Sequence, residues 1–270
     1  MVDSVDLGSS VKSALRGMQR TRQQTSQTNE RLSTGLRIND PLDGTQDFFA
    51  SQALTNRAAD LTQVKDQVGQ AISTIQAADA GLNAIKDLSD QARAVAMQAQ
   101  NTSDPTERLR LAEQFNQIRG QIDSIAADSS FSGTNLIGSS PENLDVALNG
   151  DGASLTVQGI DSTSVGLGIS SRTFGSDADI DAALADISSA QTQILSNSTS
   201  LSSSTSSLQN RIDITDNMTN TLERGTANLT QTDLDEEAAS LLSLQTRQTL
   251  GSNALTIATE NERTVLGLFG

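Results

Sequence analysis

A single heptad register runs through most of the C-terminal half of the chain. Between Ile180 and Leu229, apolar or small polar residues recur at alternating spacings of three and four for seven heptads. This spacing keeps the recurring residues on one face of a helix, so it predicts one long amphipathic helix. Ser198, Thr205 and Thr219 stand at positions where a stable coiled coil has isoleucine or leucine. The predicted helix therefore has a weak seam and depends on neighbouring helices.

The N-terminal half has the same periodicity. A nearly unbroken apolar stripe covers residues 54–99, and another covers residues 109–125. Asp104 and Pro105 precede the latter and suit the N-cap and the first turn of a helix. Shorter stripes predict a helix at each end of the chain. A helix over residues 54–99 would be about 70 Å long, whereas a compact chain of this size has a radius of gyration of about 18 Å. We therefore predict a mainly α fold, an elongated rod of antiparallel coiled-coil or bundled helices.

Residues 139–176 differ from the rest of the chain. Runs at residues 144–148 and 155–157 are rich in β-forming residues and flank an Asn-Gly-Asp-Gly turn at residues 149–152. Such a turn between two β-prone runs is typical of a hairpin. We predict a small β-hairpin excursion from an otherwise helical chain.

Composition narrows the possible functions. Only 2% of the residues are aromatic, and the chain has neither cysteine nor histidine. This removes disulfides, thiolate nucleophiles, Cys/His zinc sites and imidazole bases, so we expect no enzyme and no cofactor. The net charge of −15 disfavours nucleic acid and anionic membranes as partners. No apolar stretch approaches the roughly 20 residues of a membrane span, and the first residues do not resemble a secretory signal peptide.

The two ends of the chain have opposite charge. Residues 8–37 have a net charge of +5, and residues 230–270 have a net charge of −4. Pairing of the terminal helices would bring these charges together, although two independently solvated helix faces explain them equally well. The candidate charge partners are Arg31, Arg37, Asp235, Glu236 and Glu237.

Several motifs resemble those of bacterial flagellins. Residues 30–39, Glu-Arg-Leu-Ser-Thr-Gly-Leu-Arg-Ile-Asn, resemble the flagellin motif Glu-Arg-Leu-Ser-Ser-Gly-x-Arg-Ile-Asn. Residues 125–136 are similar to the family's Ile-Ala-…-Phe-Asn-Gly-x-x-Leu, and residues 265–269 are similar to its Val-Leu-Ser-Leu-Leu tail. The resemblance extends over roughly residues 10–138 and 180–270, in the family's order.

The resemblance implies a structural subunit that polymerises into the flagellar filament for motility. Residues 47–61 look closest to alphaproteobacterial members. Flagellins are exported unfolded through the flagellar type III apparatus and act in the extracellular filament. The implied partners are further copies of the chain, paralogous flagellins, the export apparatus, an export chaperone, and the cap and junction proteins. Neither a nucleic acid nor a membrane is an expected partner.

The resemblance also implies a division of the chain. In this family the N- and C-terminal helices pair and line the central channel, and the neighbouring helices form the outer wall. The short excursion stands where the family's large outer domains lie, so the filament should be thin and smooth. The predicted segments are an inner-tube helix and turn (1–40), outer-wall helices (41–138), the β/loop excursion (139–176), an outer-wall helix (177–230) and a C-terminal inner-tube helix (231–270).

Candidate functional residues fall into two further groups. The terminal segments are amphipathic and have no core of their own, so we expect them to be ordered by neighbours. The candidate self-assembly residues are Val11, Leu15, Met18, Leu32, Leu36, Leu241, Leu255, Leu266 and Phe269.

Flagellins that activate the flagellin-sensing Toll-like receptor carry Arg-x-Arg-Glu-Leu on an outer-wall helix. The equivalent positions here are Gln91, Arg93, Ala94 and Val95, so the resemblance implies a poor agonist.

Other interpretations fit parts of the pattern. A hook–filament junction protein shares the paired terminal helices, but the tail and the motif at residues 30–39 favour a filament subunit. A cell-wall hydrolase needs a compact pocket, which a rod of helices does not supply. Asp177, Asp179 and Asp181 have calcium-loop spacing but lack the loop's glycine and distal glutamate, so we expect them to cap a helix.

Overall fold

The computed structural model describes residues 9–149 and 152–269, and over these ranges the chain is mainly helical. The five helices of the described chain are α1 (Ser9–Thr34), α2 (Thr45–Gln100), α3 (Pro105–Asp128), α4 (Asp177–Thr230) and α5 (Leu234–Phe269). Its strands are β1 (Ser130–Phe131), β2 (Thr134–Asn135), β3 (Leu144–Ala147) and β4 (Ser154–Val157). The predicted mainly α class with a small hairpin is confirmed.

Two of the helices are much longer than the others. α2 has 56 residues and α4 has 54, which correspond to about 84 Å and 81 Å. Contacts divide the chain into unit 1, residues 1–56 and 222–270, and unit 2, residues 57–221. The boundaries of these units fall within α2 and α4, whereas the predicted segments change near helix ends. The five predicted segments stay a prediction.

In unit 2, α2 and α4 are antiparallel. Their polar side chains meet in pairs whose residue numbers rise along α2 and fall along α4. The pairs are Lys65 with Asp216 (2.6 Å), Asp79 with Ser198 (2.6 Å), Asp90 with Gln191 (2.6 Å) and Gln100 with Asp181 (2.9 Å). The apolar seam lies beside these pairs, and its residues, such as Ile75, Leu82 and Ile187, are fully buried.

α3 completes the core of unit 2. Asp104 accepts a hydrogen bond from the Thr106 N–H (2.9 Å), and Pro105 begins the helix, so the predicted cap is confirmed. The ring of Phe115 on α3 packs against that of Phe174, with centroids 5.3 Å apart. Both rings are fully buried, and burying a phenylalanine side chain contributes about 1.5–3 kcal/mol.

The excursion contains the predicted hairpin. β3 and β4 pair antiparallel from Leu144 opposite Val157 to Ala147 opposite Ser154. The side chains of Val146 on β3 and Val157 on β4 are buried in the core of unit 2. Residues 150 and 151 of the predicted turn lie outside the described residues. A second, smaller hairpin of β1 and β2 turns through Ser132 and Gly133, both with positive φ.

Unit 1 is built around α1 and α5. α1 ends at Thr34, and the next residue, Gly35, has a φ of 72°, a conformation that glycine adopts without strain. The chain that follows is fastened to the end of α4: the Arg37 N–H donates to the Thr230 carbonyl (2.6 Å), and the Thr232 N–H donates to the Gly35 carbonyl (3.1 Å). These two backbone hydrogen bonds hold the end of α1 beside the start of α5.

Candidate assembly surface

α1 packs on α5 with an inward face of small and polar residues. A row of buried or half-buried residues follows a regular spacing of three and four: Val11, Ala14, Met18, Thr21, Thr25, Thr28 and Leu32. The hydroxyls of Thr21 and Thr25 donate to carbonyls one turn earlier in α1, at 3.1 and 2.8 Å. These bonds satisfy the hydroxyls within the helix, so threonine can face a partner helix without leaving a polar group unpaired.

The inward face of α5 follows the complementary spacing. The buried or half-buried residues at this spacing include Glu237, Leu241, Leu244, Gln248, Gly251 and Leu255. Among the described side chains of α5, Leu244 is the one buried apolar residue. Leu241 and Leu255 are half-buried, so much of the apolar contact that α5 makes with α1 comes from partly exposed side chains.

The opposite face of α5 carries an exposed apolar stripe. Its members are spaced by three and four residues and include no charged side chain: Ala239, Leu242, Thr246, Leu250, Asn253 and Ile257. Leu242, Leu250 and Ile257 are 67%, 63% and 59% exposed. We call this set the α5 stripe. Single exposed apolar residues are common, but three large ones in register along one uncharged helix face indicate a docking surface.

The predicted self-assembly residues lie mostly inside unit 1. Val11, Met18, Leu32, Leu241 and Leu255 are buried or half-buried on the facing sides of α1 and α5, so they hold the helices together within one chain. Of the other predicted residues, Leu36 is half-buried and Leu15 is exposed. The side chains of Leu266 and Phe269 lie outside the described residues. 

Sequence reasoning missed the α5 stripe. Leucines stand at both 241 and 242, so the heptad spacing fits either face of the helix. The absence of charge along the stripe, in a chain with a net charge of −15, was the signal that could have found it.

Arg31 and Glu237 form an ion pair between α1 and α5. Arg31 Nη1 donates to Glu237 Oε1 at 3.1 Å, and their side chains are 29% and 11% exposed. The Thr232 hydroxyl donates to the same oxygen at 3.3 Å. Because burying a charge without a partner is energetically costly, the largely buried Glu237 carboxylate requires these two hydrogen-bond donors. The pair therefore sets which turn of α1 meets the first turn of α5.

The other predicted charge partners are not brought together. Arg37 follows the left-handed turn after α1 and turns toward the start of α2, where its Nη2 lies 3.5 Å from Asp47 Oδ2. Asp235 and Glu236 are exposed in the first turn of α5, and their N–H groups donate to the Asp233 carboxylate at 3.0 and 3.2 Å. Asp233 is therefore the N-cap of α5, and the expected contact of Arg37 with this turn is absent from the described structure.

Comparison with known proteins places the chain in a family. The sequence profile described as the bacterial flagellin N-terminal helical region matches residues 9–140. Flagellin FljN of Caulobacter vibrioides is 30% identical to this chain over 277 residues, with 99% of each chain covered. The chain belongs to the flagellin family. A flagellin of Brucella melitensis is 25% identical over 98% of this flagellin and 99% of its own length. The predicted alphaproteobacterial type is confirmed.

The fold agrees with this membership. The crystal structure of Bacillus cereus flagellin matches with a TM-score of 0.50 and 22% identity, covering 55% of this chain and 88% of that one. Flagellins are structural subunits of the extracellular filament, so this flagellin is a filament subunit and not an enzyme. The comparisons do not favour a junction protein or a cell-wall hydrolase over it. Among the described residues, no helix is both long and apolar enough to cross a membrane.

The positions equivalent to the receptor motif lie on α2. Gln91, Arg93 and Ala94 are exposed, but Val95 is buried in the core of unit 2. Arg93 Nη1 lies 3.5 Å from Gln191 Oε1, at the edge of the α2–α4 contact. In the monomer, the accessible part of this patch is therefore one arginine between a glutamine and an alanine.

The three aspartates with calcium-loop spacing have separate roles. The Asp177 carboxylate accepts a hydrogen bond from Arg108 (2.6 Å), and Asp179 accepts one from the Phe174 N–H (2.8 Å). Burial raises the pKa of Asp179, but its hydrogen bonds outweigh this and hold the pKa below its ordinary value. Asp181 accepts a hydrogen bond from Gln100 on α2. Over the described chain, no three acidic residues are grouped to hold a metal ion.

Proposed function

We propose that this flagellin polymerises through its α1–α5 pair, with the α5 stripe as a contact between subunits. The observation that carries the proposal is the exposure of Leu242, Leu250 and Ile257 on an uncharged face. Complete burial of such a side chain contributes about 1.5–3 kcal/mol. Burial of these three side chains in a polymer would therefore contribute several kcal/mol to assembly.

This proposal gives the terminal segments a shared role. Residues 1–40 and 231–270 would form the inner tube, and residues 41–138 and 177–230 would form the outer wall, with residues 139–176 on the outside. Val11, Met18 and Leu241 would then support assembly indirectly, by keeping α1 on α5 so that the stripe is presented.

A charge placed in the stripe tests the proposal. Leu250→Glu should abolish seeded polymerisation, because a carboxylate in a buried apolar contact lacks a partner. Gln245→Glu is the matched control, since Gln245 is exposed on the flank of the same helix. Sedimentation and negative-stain electron microscopy should show filaments for the control and none for Leu250→Glu, with equal helix content by circular dichroism. Normal filaments from Leu250→Glu would remove the stripe from the assembly contact.

We further propose the flagellar partners that the family implies. These are the export apparatus, an export chaperone, the cap and junction proteins, and paralogous flagellins that share the filament. The lack of cysteine supports unfolded export, because no disulfide can form to obstruct a threaded chain. Secretion into the medium should stop in cells that lack the export apparatus, while the intracellular level of the protein stays measurable.

A further inference from the structure

One end of the α1–α5 pair is basic. The first half of α1 carries Lys12, Arg16, Arg20 and Arg22, and the first carboxylate in the helix is Glu30. α5 is antiparallel to α1, so its second half lies beside these residues. Its two arginines and two glutamates over residues 244–264 cancel, which leaves this end positive. We call it the basic end.

The other end of the pair is acidic. The first turn of α5 and its cap include four carboxylates and no basic residue: Asp233, Asp235, Glu236 and Glu237. The turn between α1 and α2 adds Asp40 and Asp43, and the first turn of α2 adds Asp47. The neighbouring arginines, Arg31 and Arg37, are already paired with Glu237 and Asp47. We call this the acidic end.

Several charges at the two ends have no partner within the described chain. Arg16, Arg20 and Arg22 are exposed and form no ion pair with any described residue. Asp235 and Glu236 are also exposed, and their carboxylates form none either. Both ends thus present solvated charge that a second molecule can reach.

The two ends are too far apart to satisfy each other in one chain. The Arg31–Glu237 pair marks the acidic end along α1. Arg20 precedes Arg31 by three helical turns, about 16 Å along the axis. At physiological ionic strength, screening limits charge interactions to about 8 Å. The attraction between the ends is therefore available to a neighbouring copy and largely lost within one copy.

We propose that the basic end of one subunit contacts the acidic end of a second copy, head to tail. This inference rests on the proposed polymerisation and names the polar contact that orders it. A surface that binds a different surface on an identical copy is heterologous and builds an open filament when the rotation does not close. Opposite charges favour this order, and like charges oppose the reversed one.

Two charge-reversed proteins test the contact. The first carries Arg16→Glu with Arg20→Glu, and the second carries Asp235→Lys with Glu236→Lys. These changes reverse the net charge of the unpaired residues at one end: Arg16, Arg20 and Arg22 together go from +3 to −1, and Asp235 and Glu236 go from −2 to +2. Seeded elongation of either protein alone should therefore slow about tenfold, because the unpaired charges at its two ends then have the same sign. An equimolar mixture should recover, because each protein supplies the charge that the other has lost. Arg16→Lys with Arg20→Lys keeps the charge and should elongate like the unmodified protein.

The outcomes separate this contact from its alternatives. A purely intramolecular role would leave the mixture as slow as its components, which would overturn the proposal. Unchanged elongation of either reversed protein would also overturn it. Loss of binding to vesicles of anionic lipid, with elongation unchanged, would assign the basic end to a membrane instead. Failure of the unmodified protein to form filaments at all would count against the proposed function and not against the charge contact alone.

Discussion

The sheltered pair of Arg31 and Glu237 gives the terminal helices their relative position. Reversal of one member, Arg31→Glu, should weaken the α1–α5 pair, because two carboxylates then face each other. Arg31→Glu with Glu237→Arg should restore it, with a coupling free energy of about 0.5–3 kcal/mol. Arg31→Glu with Glu236→Arg is the control, since Glu236 points to solvent. Urea unfolding followed at a label on α5 measures the difference, and equal rescue by both double variants would contradict the pairing.

The arginine pairing shows what sequence reasoning can and cannot resolve at this scale. Opposite net charge predicted that the end of α1 and the start of α5 attract, and Arg31 does meet Glu237. Arg37 has the same charge but follows a left-handed glycine, and the chain direction after that turn decides its partner. Backbone direction at one residue is not encoded in the charge pattern.

Gly81 lies where α2 and the end of α3 approach closely. A Cβ built on Gly81 would lie 2.1 Å from Ser129 Oγ and 2.7 Å from Ile137 Cδ1. Gly81→Ala should therefore destabilise unit 2 by about 1–3 kcal/mol through overpacking. Gly69, in the same helix, has open space around this position, so Gly69→Ala should stabilise by about 0.8–1 kcal/mol. Thermal unfolding of both variants checks the opposite signs.

Among the elements, the β1–β2 hairpin depends on two turn residues. Ser132 has a φ of 50° and Gly133 a φ of 87°, which fits the two-residue turn that favours Asn-Gly. Ser132→Asn should stabilise unit 2 by up to about 1 kcal/mol, because asparagine tolerates this conformation better than serine. Gly133→Ala should destabilise it by about 1–2 kcal/mol. Chemical denaturation with an unchanged m-value would attribute the change to stability, and a destabilising Ser132→Asn would refute the assigned turn.

The positions of the helices could be predicted from the sequence, but which face of each helix is buried was harder to predict. The three-four spacing predicted all five described helices, and Asp104 and Pro105 marked the start of α3. Because apolar residues are adjacent in the sequence of α5, the heptad spacing fits two faces of this helix equally well. α1 decides between them by packing on one face, and a contact between distant segments cannot be read from local periodicity.

At the scale of the whole molecule, the exposed Gln91, Arg93 and Ala94 of α2 are the positions that we predict to match the flagellin receptor motif. We propose that this flagellin is a poor agonist of the flagellin-sensing Toll-like receptor, because a guanidinium and a carboxylate of the family's motif are replaced at Gln91 and Ala94. Each lost charge-assisted hydrogen bond is worth about 1.5–3 kcal/mol. Gln91→Arg with Ala94→Glu should therefore raise receptor-reporter activity of the monomer. Both positions are exposed, so the fold should not change.

Strong reporter activity from the unmodified monomer, at concentrations that suffice for motif-bearing flagellins, would contradict this prediction. Val95→Ala offers no test, because Val95 is buried and its change would disturb the core.

The division of the chain into units also fixes an order of events during folding. Unit 2 is one continuous stretch of 165 residues, whereas unit 1 needs both ends of the chain. A chain made from its N-terminus contains every residue of unit 2 before α5 has been synthesised, so α1 stays without its partner until the end of translation. Arg31 and Glu237 are 206 residues apart, so their contact requires chain that is made last, whereas the contacts within each helix are local. We therefore expect the α1–α5 pair to form last, to open first, and to leave α1 available to another protein for as long as the chain is being made.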